Sequence, residues 1–224
     1  MAVESWKKLL VTAALAVVVT LVVYNLYGRT TGNNRLHKRT VEVSMKTIYL
    51  VPIGDIDKVI IEDIAPEVAE IYSTDYKIVD KPLDIPKDAY NKDREQYLAR
   101  SFLETLKELP ESKKGLVIGI ADVDIYTPEL NFLFGLAEMG SSVCVMSVTR
   151  LRPEFYGNNK PDHKVLIKRS VTESVHELGH VVGLAHCPNP ACVMFFSNSR
   201  ADTDYKGKHF CDECAQLVRK GMSE

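Results

Sequence analysis

The stretch His176 to Met194, HELGHVVGLAHCPNPACVM, constrains this chain more than any other part of it. It holds three histidines, one glutamate and two cysteines within nineteen residues. Zinc takes about four ligands of these types. The set is too large for one tetrahedral ion, and two of its members, His186 and Cys187, are adjacent. Any fold of this chain must therefore present these side chains to one metal or divide them between two.

Spacing separates their roles. His176 and His180 are four residues apart, so on a helix they lie about 40° apart in azimuth and one turn apart in height. Their imidazoles can converge on one ion. Val171, Val175, Leu178 and Val182 recur on a different face, which leaves the histidines lining a cleft. Glu177 is one step further round. It reaches a metal-bound water more easily than the metal, which is the position of a general base. Gly183 suits a sharp turn with positive φ, after which His186 can swing back as a third ligand. Three protein ligands leave one position open, the mark of a catalytic zinc. A purely structural site has no use for a base beside an open position, which argues against a zinc-stabilised binding or scaffold protein. A zinc amidohydrolase is not separated from a peptidase by these residues.

The cysteines need a second account. Cys187-x4-Cys192 and Cys211-x2-Cys214 are two closely spaced pairs. They form either a zinc knuckle or two disulfides, and the tight C-x-x-C pair suits a metal better. Cys144 lies in the apolar run SSVCVMSV and reads as a buried strand thiol.

The rest of the chain alternates strand and helix signals. TIYLV (Thr47 to Val51), YKIVD and GLVIGI (Gly115 to Ile120) read as strands, with NFLFGLAEMG and SSVCVMSVTRL as two more. Asp57 to Tyr72 has helical spacing, with Pro66 expected to break or kink it. Asn91 to Leu109 reads as a surface helix on the stripe Leu98, Phe102, Leu106 and Leu109. Ser170 with Glu173 has the capping-box pattern that would start the active-site helix. The expected class is α/β or α+β, a mixed sheet packed against two main helices. His37, His163 and His209 are expected to be solvated. Arg150 and Arg152 either line the cleft or pair at the surface.

The N-terminus differs. Leu9 to Leu26 is 18 residues without a charge. As a helix it spans about 27 Å, enough for a hydrocarbon core. Trp6, Tyr24 and Tyr27 stand near its ends. A cleaved signal peptide needs a shorter apolar region and small residues before the cut, which YNLYGRT does not offer. The expected organisation is a short tail (1–8), a transmembrane anchor (9–27), a basic linker (28–44) and a globular domain (45–224). Arg29, Arg35, Lys38 and Arg39 after the anchor lean the domain towards the cytoplasm. The net charge of −2 gives no reason to expect nucleic acid as a partner.

HELGHVVGLAHC, CVM and CDEC at these spacings closely resemble the archaemetzincins, a family of metzincin-type zinc peptidases. DVDIYTPELNFLFGLAEMG, SVTRLRPEFYG and FSNSRADTDYKGKHFC are similar to the family's strands and tail. The resemblance covers about 45–224. It implies a metzincin-like twisted mixed sheet with two main helices and a small zinc-stapled C-terminal subdomain. It implies two zinc ions per chain. His176, His180 and His186 would bind the catalytic one with Glu177 as base, and Cys187, Cys192, Cys211 and Cys214 the structural one. Met194 would be the Met-turn residue beneath the histidines. The strand near NFLFGLA would form a sheet edge along which an extended peptide substrate adds by β-augmentation.

Overall fold

The computed structural model describes residues 47–157 and 160–221. The expected tail, anchor and linker lie outside the described residues. Among the described residues no helix is long and apolar enough to cross a membrane.

A five-stranded sheet forms the centre, in the order β2-β1-β5-β9-β8. Its strands are β1 (Thr47–Ile53), β2 (Asp75–Ile78), β5 (Leu116–Ala121), β9 (Val143–Ser147) and β8 (Gly135–Ala137). β2, β1, β5 and β9 run parallel, and β8 closes the edge antiparallel to β9. Every residue of β5 is buried, as a central strand covered on both faces requires. Alternation then sorts the side chains. Ile48, Leu50, Leu116, Ile118, Ile120, Cys144 and Met146 join one core. Val51, Ile53, Val117, Val143 and Val145 join the other.

Helices cover both faces. On the first lie α1 (Lys58–Tyr72) and α3 (His163–Val181). On the second lies α2 (Ala99–Lys107), through Phe102, Leu103 and Leu106. A smaller sheet has the order β3-β4-β6-β7, from Tyr90–Asn91, Gln96–Leu98, Ile125–Thr127 and Leu130–Leu133. The chain ends with α4 (Arg200–Lys206) and α5 (Asp212–Gly221). The expected mixed sheet on two main helices, α1 and α3, is present, with α2 as a third layer.

Four local expectations are corrected. Pro66 does not break α1, which continues to Tyr72. Pro66 and Glu62, whose carbonyl it leaves without a helical donor, are both solvent-exposed, so water satisfies the gap. The helix expected from Asn91 begins only at Ala99. The Asn91 side chain accepts from the amides of Asp93 and Arg94 at 3.0 and 3.2 Å, and Glu95 takes a left-handed φ of 53°. This turn pairs β3 with β4, and β4 pairs with β6 far along the chain. NFLFGLAEMG divides at Phe134 into β7 and β8, which belong to different sheets. Ser170 and Glu173 do not cap α3. Its cap is Asp162, accepting from the Val165 amide at 3.1 Å, which places Ser170 and Glu173 well inside the helix.

Candidate active site

From Ser170 to Gly179 every residue of α3 is buried. Val171, Val175 and Leu178 pack into the sheet-side core. The opposite side presents Glu173, His176 and Glu177 to a cleft of about 210 Å³. Its other wall is Leu130 to Gly135 and its far rim Phe196 to Asn198. Tyr72 on α1 donates to the Val175 carbonyl at 2.9 Å, fixing the helix one residue before His176.

His176, His180 and His186 converge, with one ring nitrogen from each lying within 4.8 Å of the others. The turn that returns His186 follows Gly183, whose φ is 96°. The tautomers follow from the hydrogen bonds. His176 Nδ1 donates to the Val193 carbonyl at 2.7 Å and His180 Nδ1 to the Leu184 carbonyl at 2.8 Å. A carbonyl has no proton to give, so both protons sit on Nδ1. The two Nε2 atoms, 3.1 Å apart, therefore face each other as bare lone pairs. That repulsion is relieved by a cation between them, and an Nδ1–H held by a carbonyl is the usual support of a metal-bound histidine. The donor set fits zinc.

Electrostatics point the same way. Burial, then the Lys206 ammonium, holds His176 well below its ordinary pKa. His180 is lowered, chiefly by burial. Desolvation, then His180 and Lys206, pushes His186 down to about 4, although its outer edge is open to solvent. All three shifts favour the neutral, metal-binding form of the ring. Burial raises the Glu177 carboxyl well above the carboxylate range; Glu173 adds to this and Lys206 opposes it.

The four cysteines form a second cluster. The Sγ atoms of Cys187, Cys192, Cys211 and Cys214 lie within 4.8 Å of one another, and all are free thiols. Cys187 Sγ and Cys211 Sγ are 3.8 Å apart. Tetrahedral zinc with Zn–S bonds of about 2.3 Å places its sulfurs about 3.8 Å apart. The amide of Cys214 lowers the Cys211 thiol, whereas burial raises Cys192 and Cys214. The two clusters meet at Met194, which is fully buried. Its sulfur fills the space that a Cβ on Gly179 would take. Its carbonyl accepts from the Cys187 amide at 2.9 Å.

His37 lies outside the described residues, and the remaining sequence candidates among the described residues stay outside both clusters. Cys144 is wholly buried in β9. His163 pairs with Asp63 at the surface, and His209 is exposed. Arg150 and Arg152 pair with Asp124 and Asp122. Sequence reasoning missed Glu173 as a cleft residue, although its position three and four residues before His176 and Glu177 places it on their face. It also missed Lys206, for which no sequence signal existed.

Comparison with known proteins agrees. The model of peptidase family M54 matches residues 45–220. The chain is 44% identical over 180 residues to archaemetzincin of Pyrococcus furiosus, covering 78% of this chain and 93% of that protein. It is 49% identical over 136 residues to that of Pyrococcus horikoshii, covering 60% and 72%. The crystal structure of archaemetzincin from Methanopyrus kandleri matches with a TM-score of 0.70 at 36% identity, covering 82% and 98%. That of Archaeoglobus fulgidus archaemetzincin, complexed with malonate, matches at 0.66 and 36% identity, covering 76% and 99%. Fold and relatives together define a zinc-dependent metallopeptidase, a hydrolase. The chain belongs to peptidase family M54, the archaemetzincins.

Proposed function

We propose that this chain hydrolyses peptide bonds at a zinc ion held by His176, His180 and His186, with Glu177 as general base. The carrying observation is the pair of bare Nε2 atoms 3.1 Å apart beside the buried carboxyl of Glu177. Zinc bound there would supply Lewis acidity to a water and to the scissile carbonyl. Glu177 would take a proton from that water as its oxygen bonds to the carbonyl carbon, and would give the proton to the amine nitrogen as the C–N bond breaks. A carboxyl raised by burial suits a group that must both accept and give a proton near neutral pH. Val193 and Leu184 hold the two helical imidazoles in the ligating tautomer. β8 is a sheet edge, and Leu130 to Gly135 wall the cleft. An extended peptide adding to that edge would be led past Glu177.

The same proposal gives Cys187, Cys192, Cys211 and Cys214 a second, structural zinc, and Met194 the role of floor beneath the histidines. It also keeps residues 9–27 as a membrane anchor, on their length and lack of charge. The cationic residues that follow favour a cytoplasmic domain.

The test is E177Q. Turnover of a peptide library should fall by about 10²-fold or more, with close to two zincs per chain retained by elemental analysis. Full activity in that variant would remove Glu177 from the mechanism.

A further inference from the structure

Glu173 is a carboxylate in the wrong place for a site with one open coordination position. It lies on α3 one turn before His176 and Glu177, and it lines the same cleft. On a helix, residues 173, 176, 177 and 180 share one face about 100° wide, with Glu173 about 60° from His176 and about 20° from His180 in azimuth. Carboxylate oxygen is an ordinary zinc ligand. Left alone, Glu173 would compete with water for the metal and place a second negative charge beside Glu177.

The structure shows where that charge goes instead. Glu173 Oε1 accepts from Thr203 Oγ1 at 2.7 Å and meets Lys206 Nζ at 3.3 Å. Both side chains of the ion pair are withdrawn from solvent, 0% exposed for Lys206 and 3% for Glu173. Lys206 also donates to the Phe195 carbonyl at 3.2 Å, next to Met194. Its Nζ stands 3.3 Å from His176 Nδ1. That contact is electrostatic, because the Nδ1 proton is already given to Val193 and an ammonium accepts nothing.

Packing alone is a poor reason for such a pair, since buried ion pairs are often matched in stability by apolar side chains of similar size. We propose that Lys206 is a positioning residue. It holds the Glu173 carboxylate away from the open metal position while clamping the Met194 segment to α3. This rests on the assignment of the three histidines as a zinc site.

The experiment compares wild type with K206M, E173Q and K206M/E173Q. It measures zinc affinity by chelator competition, the visible spectrum of the cobalt-substituted protein, kcat and KM, and melting temperature. K206M frees the carboxylate. Its kcat should fall about tenfold or more, zinc should bind as tightly or more tightly, and the cobalt spectrum should show an added oxygen ligand. The double variant removes both charges and should recover most of kcat and the wild-type spectrum. E173Q leaves the cation beside His176 unopposed and should weaken zinc binding several-fold. If K206M does not fold, the double variant and E173Q decide. Parallel loss of zinc and activity in K206M without recovery in the double variant would overturn the proposal, as would unchanged zinc affinity in E173Q. A wild-type protein with no zinc at the histidines would instead overturn the underlying site assignment.

Discussion

Glu177 owes its place to an absence. A Cβ built on Gly135 would lie 2.7 Å from both the carboxyl carbon and Oε1 of Glu177, far inside contact distance. Glycine at this strand edge is thus what admits the Glu177 carboxyl to the cleft. Gly135→Ala should push the carboxyl aside and lower kcat by about 10- to 100-fold, since misplacement by an ångström has that scale of effect. Zinc content should stay unchanged because no ligand moves. An alanine variant with wild-type kcat would show that the carboxyl has room to spare. Residues at this scale were partly legible in the sequence. His176, Glu177 and His180 were placed by helical spacing alone. Glu173 was misassigned because the sequence Ser-x-x-Glu has the same pattern whether it starts a helix or lies inside one.

The segment from Val193 to Phe195 behaves as one element. Its three successive carbonyls are taken by His176, by the amide of Cys187 and by Lys206. Its amides at Val193 and Phe195 donate to His209 and Cys192. The cysteine cluster and the histidine cluster are therefore braced by the same three residues. If the cysteines hold the proposed second zinc, replacing buried Cys214 by serine should release about one zinc per chain, lower the melting temperature, and cut kcat by about tenfold through the loosened His186–Cys187 link, the size typical of lost outer support. Normal kcat with one zinc missing would uncouple the two clusters. Element boundaries were the least legible feature. α2 starts at Ala99, eight residues after the expected start at Asn91 and directly after the first residue of its apolar stripe, because β4 found a partner in β6, and that pairing depends on residues far along the chain. α1 survives Pro66 because the lost hydrogen bond faces water.

At the scale of the molecule, the cleft lies where the sheet edge β8, the buried helix α3 and the chain after Met194 come together. An anchor on residues 9–27 would tether this cleft at a membrane. The full-length chain should then sediment with membranes and resist alkaline carbonate extraction. Recovery in the soluble fraction would end the anchor proposal. The sequence by itself brought out the candidate ligands of the centre and most of the central strands and main helices around it. Ligand spacing on a helix and alternation along a buried strand are set by backbone geometry over a few residues. Only the tertiary structure decided which charges meet. Glu173 and Lys206 are joined across the fold rather than along the chain, and a contact of that kind leaves no periodic trace in the sequence.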